Sequence, residues 1–266
     1  MWPTSRGRED PPYCNTGGCA KACAALERSF WIGREETTHR QPPGNLGQRG
    51  RPAGPTSCGW LICQTAGVPP HRDVAAFDER ALGYEQGSRG RLHHDIADRA
   101  AELALSVHAA PRRVLDVGCG TGYLLRLLAG RCPHATELAG IDPAPSMIEA
   151  AEQAADDRRL RFTVGAAERL PYPDGVFDLV ASTTSFDHWA DQRAGLGECA
   201  RVLVPGGHLL LADLFSPWLV PTLLGGRRGK ARTRQRASRL LSAAGFKDLA
   251  WHDLYAIILK AVTATT

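Results

Sequence analysis

The chain has 266 residues, enough for one large α/β domain with an appendage or for two small domains. With 23% charged residues, 43% hydrophobic residues and a net charge of +4, its composition is that of an ordinary soluble protein and does not by itself indicate a nucleic-acid binder. No apolar run approaches the roughly 20 residues that cross a bilayer, and no apolar segment follows the N-terminal arginines as it would in a secretory signal. We therefore expect a cytoplasmic protein without a membrane span.

The N-terminal segment, residues 1–72, is rich in proline and glycine and has no sustained period of a strand or a helix. Such a composition buries too little apolar surface to offset the entropy of the chain. We predict a mostly disordered extension over residues 1–72 and a folded domain over residues 73–266.

The eight cysteines offer no recognisable site. Five lie in the first quarter of the chain, and Cys119, Cys132 and Cys199 are scattered through the rest. No two have the C-x-x-C spacing that indicates a zinc or redox site. We predict reduced thiols and no metal.

The pattern from residue 73 onward is one of helices followed by alternating strands and helices. Two helices are expected first, over residues 73–87 and 90–107, the second with an apolar residue at every fourth position. Strands are then predicted at Arg113–Val117, Glu137–Ile141, Leu160–Val164, Phe177–Ser182, His208–Asp213, Asp248–His252 and Tyr255–Val262. Helices are predicted at Tyr123–Gly130, Ala144–Ala155, Gln192–Leu203 and Arg232–Ala244.

This alternation predicts an α/β fold with a doubly wound, seven-stranded sheet that is mostly parallel and covered by helices on both faces. The last two strands are too close in sequence for a crossover helix. We therefore expect them to form an antiparallel C-terminal hairpin.

A glycine-rich loop follows the first predicted strand in the stretch RVLDVGCGTGYLLRLLAG. Gly118, Gly120 and Gly122 lie where open parallel sheets bind ligands, and Asp142, after the second strand, could accept hydrogen bonds from the hydroxyls of a ribose. A dinucleotide fingerprint would place its third glycine at residue 123, and no Lys-Ser or Lys-Thr pair follows as in a P-loop. The loop therefore indicates a cofactor that carries a nucleoside but is not NAD.

Four motifs carry a family resemblance: VLDVGCGTG, GIDPAPSMIEAA, GAAERLPYPDGVFDLV and ARVLVPGGHLLLADL. In this order they resemble the class I S-adenosylmethionine-dependent methyltransferases, in the branch of small, single-domain enzymes. The resemblance runs from about Phe77 to the C-terminus. It implies a Rossmann-like fold, S-adenosyl-L-methionine as cofactor and methyl transfer as the activity.

The resemblance also implies a set of cofactor contacts. They are Tyr84, Asp116, Gly118, Cys119, Gly120, Gly122, Asp142, Pro143, Met147, Ala166, Ala167, Glu168 and Ser182. The glycine loop would pack against the methionine part of the cofactor, Asp116 would hold its amino group and Asp142 its ribose.

Two of these contacts are open to another interpretation. Ala166 stands where the family often has an aspartate, so Ala167 or Glu168 would have to contact the adenine instead. Tyr84 resembles the aromatic residue that covers the cofactor, and a plain core tyrosine is an equally good interpretation.

The candidate catalytic residue lies after the fourth strand, in STTSFDHWADQ. Methyl transfer from a sulfonium is an in-line displacement that needs alignment above all, and a general base helps when the acceptor is a hydroxyl or a protonated amine. His188 is the best placed candidate base. The alternative is that it caps a helix.

The acceptor is predicted to be a small molecule. The residues after the fourth strand do not match the Asp/Asn/Ser-Pro-Pro-aromatic motif of enzymes that methylate amino groups of DNA bases, and no cysteine is placed as in enzymes that methylate carbon 5 of pyrimidines. Two alternatives stay open: an RNA methyltransferase that grips phosphates with the basic run between residues 225 and 236, and a non-catalytic binding module. An NAD oxidoreductase fits the glycine spacing poorly.

Overall fold

The computed structural model describes residues 73–215, 233–255 and 259–266. The extension predicted over residues 1–72 lies outside the described residues, as does most of the basic run that ends at residue 236. The boundary between the extension and the domain therefore stays a prediction.

The described part begins with helices that precede the sheet. Helix α1 spans Val74–Asp78, a short 3-10 helix spans Ala81–Gly83, and α2 spans Gly87–Val107. The helix expected over residues 73–87 is thus divided in two. The apolar stripe of α2 faces the core through Ile96, Ala97, Ala100, Ala101 and Ala104, as its four-residue period predicts.

The remaining elements alternate as expected. They are β1 (Arg113–Val117), α3 (Tyr123–Arg131), β2 (Glu137–Asp142), α4 (Pro145–Gln153), β3 (Leu160–Val164), β4 (Phe177–Thr183), a 3-10 helix (Phe186–His188), α5 (Gln192–Val202), β5 (Leu203–Leu214), α6 (Arg234–Ala243), β6 (Lys247–Tyr255) and β7 (Leu259–Thr265).

The largest departure from the predicted limits is in β5, which begins at Leu203 rather than at His208. Leu203 pairs with Phe177 of β4, and the register shifts before His208 pairs with Leu179. The strand thus continues through a Pro-Gly-Gly sequence by means of a bulge, which is where such residues are tolerated in a sheet.

The seven strands form one sheet in the order β3-β2-β1-β4-β5-β7-β6. Strand β7 is antiparallel to both β5 and β6, and the other pairs are parallel. This confirms the predicted doubly wound sheet and its C-terminal hairpin. The order of the strands reverses between β1 and β4, and open α/β sheets bind ligands beyond the carboxyl ends of the strands at such a point.

Helices cover both faces of the sheet. Apolar residues of α2 and α3 form a core cluster with one face, and those of α5 and α6 form a cluster with the other. No helix in the described ranges has both the length and the apolar character of a membrane span. The cytoplasmic location stays a prediction.

Candidate functional site

A cavity of about 300 Å³ lies at the carboxyl ends of β1, β2 and β4, beside the point where the strand order reverses. The predicted residues that line it are Tyr84, Gly118, Gly120, Asp142, Pro143, Met147, Ala166, Ala167, Glu168 and His188. A smaller cavity of about 50 Å³ shares Tyr84, Gly118 and Gly120 with it, and Asp116 and Cys119 line only this smaller space.

The glycine loop brings bare backbone to both cavities. Gly118 has a φ of 76°, and its N–H donates to the carbonyl of Ile141 at 2.7 Å. A Cβ at Gly118 would overlap the hydroxyl of Ser185, whereas a Cβ at Gly120 would lie 4.0 Å from the ring of Tyr84. The first glycine is therefore required by packing, and the second leaves room for a ligand.

Two predicted residues line neither cavity. Gly122 has its own packing reason, because a Cβ there would come within 2.6 Å of the ring of Phe162. Ser182 is fully buried inside β4, and Thr183 and Thr184 line the cavity instead. Side chains alternate along a strand, so Thr183 points to the opposite face from Ser182. Thr184 lies just beyond the end of β4.

Asp142 connects the second strand to the glycine loop. One carboxylate oxygen accepts from the N–H of Gly120 at 3.0 Å and the other from the N–H of Ala144 at 2.9 Å. Burial raises the pKa of Asp142 to about 6, although both N–H groups favour the ionised form. A carboxylate has about four acceptor positions, so two remain for further donors.

Asp116 is the second buried carboxyl group of the site. It is 1% exposed, and its Oδ1 has no hydrogen-bond partner among the described residues. Burial, and secondly the charge of Asp142, raises the pKa of Asp116 to about 8. Buried polar atoms are rarely left unsatisfied, so this oxygen fits a ligand that brings a donor or a positive charge.

This raised pKa predicts how the pH affects stability. The folded protein favours protonated Asp116, so the contribution of this group to stability is fully present below about pH 4 and is lost as the pH rises through about 8. Asp116→Asn stays neutral, and its free energy of unfolding should therefore exceed that of the wild type by a margin that grows from about pH 4 to about pH 8 and then stays constant. Urea unfolding at about pH 5, 7 and 9 measures this margin, with exposed Asp156→Asn as the control. A margin that is independent of pH would contradict the prediction.

The residues that follow β3 form one wall of the larger cavity. They include Ala166, which stands where methyltransferases of the resembled family often have an aspartate. Ala166, Ala167 and Glu168 all line the larger cavity. Oε1 of Glu168 accepts from the N–H of Asp191 at 2.9 Å. This bond holds the carboxylate at the cavity wall.

Residues 73–86, here called the covering segment, lie over the cavity. Tyr84 lines both cavities and stacks on His93, with the ring centroids 4.8 Å apart. Burial, and secondly the charge of Asp142, raises the pKa of Tyr84 to about 12. The ring of Tyr84 is thus packed against His93 and also lines the cavity, and its contact with a cofactor stays a prediction.

Two carboxylates, of Asp78 and Glu85, attach the covering segment to the glycine loop and to the helices around it. Oδ1 of Asp78 accepts from the N–H of Ser146 at the start of α4, at 2.9 Å. Near the end of the segment, Oε1 of Glu85 accepts from Thr121 Oγ1 at 2.5 Å and from Arg126 at 2.7 Å. The segment is therefore attached to α4, to the glycine loop and to α3.

His188 ends the short 3-10 helix after β4 and lines the larger cavity. Its Nδ1 lies 2.9 Å from Oδ2 of Asp73, which also lines the cavity. The capping role considered for His188 belongs to Asp191, whose side chain accepts from the N–H groups of Arg193 and Ala194 at the start of α5.

Several residues that line the cavity were not predicted from the sequence, among them Asp73, Thr184 and Ser185. Asp73 is 115 positions from His188 in the sequence, so no local pattern joins them. Thr184 has a φ of 52°, which is uncommon for a residue other than glycine and is often found at functional sites. Ser185 packs against Gly118 and accepts from Trp189 Nε1 at 3.0 Å. Only the tertiary structure brings these residues together.

Two other predictions concern ions and phosphates. Among the residues that the structure describes, no group of three or more His, Cys, Asp or Glu side chains is arranged to hold a metal ion. Of the basic run, only residues 233–236 are described, and there Arg234 lies over the ring of Trp251 at 5.2 Å. The binding of RNA phosphates by this basic run therefore stays a prediction.

Comparison with known proteins gives one family match. Residues 115–211, which run from β1 to most of β5 and include the glycine loop, match the methyltransferase domain family. Over this stretch the chain is similar to methyltransferases. The predicted resemblance is thereby confirmed, and the order of the strands confirms the predicted fold.

The curated relatives that match this chain are named for different acceptors. The demethylmenaquinone methyltransferase of Thermus thermophilus is 44% identical over 125 residues, which cover 46% of this chain and 56% of the relative. The malonyl-[acyl-carrier protein] O-methyltransferase of Halorhodospira halophila is 36% identical over 151 residues, covering 56% of this chain and 50% of the relative. The chain thus spans about half the length of these curated relatives.

A solved structure shows the same fold over a longer stretch. A methyltransferase of Haloferax volcanii, in complex with the Trm112 methyltransferase activator, covers 71% of this chain and 96% of its own, with a TM-score of 0.61 and 24% identity. At this identity the likeness supports the fold alone.

Proposed function

We propose that this protein transfers a methyl group from S-adenosylmethionine to a small-molecule acceptor. The observation that carries the proposal is the pair of buried carboxyl groups, Asp116 and Asp142, on either side of a glycine loop that exposes its backbone. Oδ1 of Asp116 has no partner among the described residues, and Asp142 retains acceptor positions. A ligand with a ribose and an ammonium group matches both.

Each part of the cavity has a proposed role in holding the cofactor. Asp142 accepts from the ribose hydroxyls, Asp116 from the amino group, and Gly118 and Gly120 allow the methionine part to approach the backbone. The residues that border the adenine are Pro143, Met147, Ala166, Ala167 and Glu168. Cys119 lines the smaller cavity. When bound, S-adenosylmethionine supplies an electrophilic methyl group on a positively charged sulfur.

The chain's own residues would then align the acceptor and exclude water. Tyr84 and Phe77 of the covering segment line the cavity from one side, and Trp189 lines it from the other. Alignment at near-attack distance in a site without bulk water can supply a large part of the rate enhancement. A partly open cavity of about 300 Å³ suits a small acceptor better than a folded RNA, and the two curated relatives cited above are named for demethylmenaquinone and for malonyl-[acyl-carrier protein].

A thermal shift experiment tests the cofactor. S-adenosylmethionine and S-adenosylhomocysteine should each stabilise the full chain, by about 2.7 kcal/mol when the ligand is present at about 100 times its Kd, and NAD should not. Stabilisation by NAD alone, or by none of the three, would contradict the proposal.

A labelling experiment tests the class of acceptor. The protein is incubated with S-adenosylmethionine that carries a tritiated methyl group and with a bacterial extract, which is then separated into small-molecule, RNA and protein fractions. We expect the label in the small-molecule fraction. Label in RNA alone would replace this proposal with the nucleic-acid alternative.

A further inference from the structure

The covering segment contributes a carboxylate to the imidazole at the cavity. Nδ1 of His188 and Oδ2 of Asp73 are 2.9 Å apart, and both residues line the larger cavity. Phe77 packs against His188 in an edge-to-face arrangement, with the ring centroids 5.0 Å apart and the ring planes at 88°. The ring is thus held by one polar and one apolar contact from the same segment.

The backbone that carries His188 is also fixed. Its N–H donates to the carbonyl of Ser185 at 2.8 Å, and the N–H of Asp187 donates to the buried Asp213 at 2.9 Å. Because Ser185 packs against Gly118, the turn that presents the imidazole is tied to the glycine loop. The imidazole and the proposed cofactor site therefore share one rigid support.

The hydrogen bond determines which nitrogen of the ring can act as a base. An ionised carboxylate only accepts hydrogen bonds, so Nδ1 of His188 carries the proton in its bond to Asp73. In the neutral ring, Nε2 is then the nitrogen that can accept another proton, and the carboxylate stabilises the imidazolium that forms.

We propose that His188, positioned by Asp73, is the general base of the methyl transfer and that the acceptor is a phenolic hydroxyl on a flat, largely apolar molecule. This inference rests on the proposed function. The acceptor oxygen forms a bond to the methyl carbon as its proton passes to Nε2 of His188, and the electron pair of the broken carbon–sulfur bond stays on sulfur. The products are a methyl ether, a neutral thioether and a protonated imidazole, which later returns its proton to water.

The cavity and the chemistry of the base both favour this acceptor. A thiolate or an unprotonated amine needs no base. The pair of His188 and Asp73, here called the dyad, is therefore useful when the acceptor is a hydroxyl. A phenol, with a pKa near 10 like that of tyrosine, gives its proton to an imidazole far more readily than an aliphatic alcohol does. Val74, Phe77 and Trp189 line the cavity with apolar and aromatic surface that suits a flat ring.

Two probes of the same shape test the dyad. The first is 2-naphthol, which must lose a proton, and the second is 2-naphthalenethiol, which is largely ionised at about pH 8 and needs no base. His188→Ala should lower kcat for 2-naphthol by about 100-fold or more and kcat for the thiol by less than about tenfold. Asp73→Asn should lower kcat for 2-naphthol by at least about tenfold while leaving KM for S-adenosylmethionine within about twofold.

The matched control is Glu79→Gln, which makes the same change of charge at an exposed position of the covering segment and should leave both rates unchanged. An equal loss on both probes would overturn the dyad, because a merely structural role affects them alike. So would a wild-type protein that methylates the thiol but not the naphthol, although methyl transfer itself would then stand. Binding of the cofactor without transfer to either probe would overturn the dyad and count against the proposed function as well.

Discussion

Asp142→Asn is expected to weaken the binding of S-adenosylmethionine by at least about 100-fold. Each hydrogen bond to a charged group contributes roughly 1.5–3 kcal/mol, and 1.4 kcal/mol corresponds to a factor of ten, so the loss of two ribose contacts has this size. The asparagine would also turn its NH₂ group toward one of the two backbone N–H groups that the carboxylate now holds, at Gly120 or Ala144. The loop would then lose part of its preorganisation.

Isothermal titration with S-adenosylmethionine and S-adenosylhomocysteine measures this loss. Asp156→Asn is the matched control, because it makes the same substitution at an exposed position away from the cavity. If Asp142→Asn bound either ligand within about threefold of the wild type, too little to remove even one hydrogen bond to a charged group, the ribose role of this carboxylate would be wrong.

The first two glycines of the loop are expected to respond differently to alanine. At Gly118, a Cβ would overlap the Ser185 hydroxyl that accepts from Trp189, and the φ of 76° is strained for any residue with a side chain. Overpacking and this backbone strain together should lower the free energy of unfolding by about 3 kcal/mol or more. The Gly118→Ala protein should therefore be hard to fold.

Gly120→Ala should instead affect binding more than folding. Its φ of 52° is also unfavourable, but the nearest atom to an added Cβ is 4.0 Å away, so the loss of stability should be about 1–2 kcal/mol. The new methyl group would project into the ligand space and weaken the binding of S-adenosylhomocysteine by at least about tenfold. Urea unfolding of both variants, with titration of the one that folds, separates these effects. Equal losses of stability would contradict the packing at Gly118.

The sequence predicted the architecture well because its signals are local. Strands β1 and β3 have the predicted limits, since each is a short segment with three apolar residues out of five that is followed by a glycine. The glycine spacing and Asp142 lead to the same edge of the sheet because parallel strands place all their carboxyl ends there. These features depend on neighbours in the sequence and on a general rule of topology.

The parts that escaped prediction depend on contacts between distant residues. The bond between Asp73 and His188 spans 115 positions, and the contact of Ser185 with Gly118 joins two different loops. Ser182 shows a second limit: an error of one position in a strand moves a side chain to the other face, and the next residue, Thr183, lines the cavity instead. Such pairings and orientations are fixed by packing of the whole domain.

A crystal structure of the full chain with S-adenosylhomocysteine tests the central claim most directly. The proposed function predicts the ribose hydroxyls within about 3 Å of the Asp142 carboxylate and the amino nitrogen within about 3 Å of Asp116 Oδ1. The sulfur should lie in the larger cavity, on the side that His188 lines. A ligand bound elsewhere, or bound in this cavity with Asp116 and Asp142 both out of contact, would contradict it.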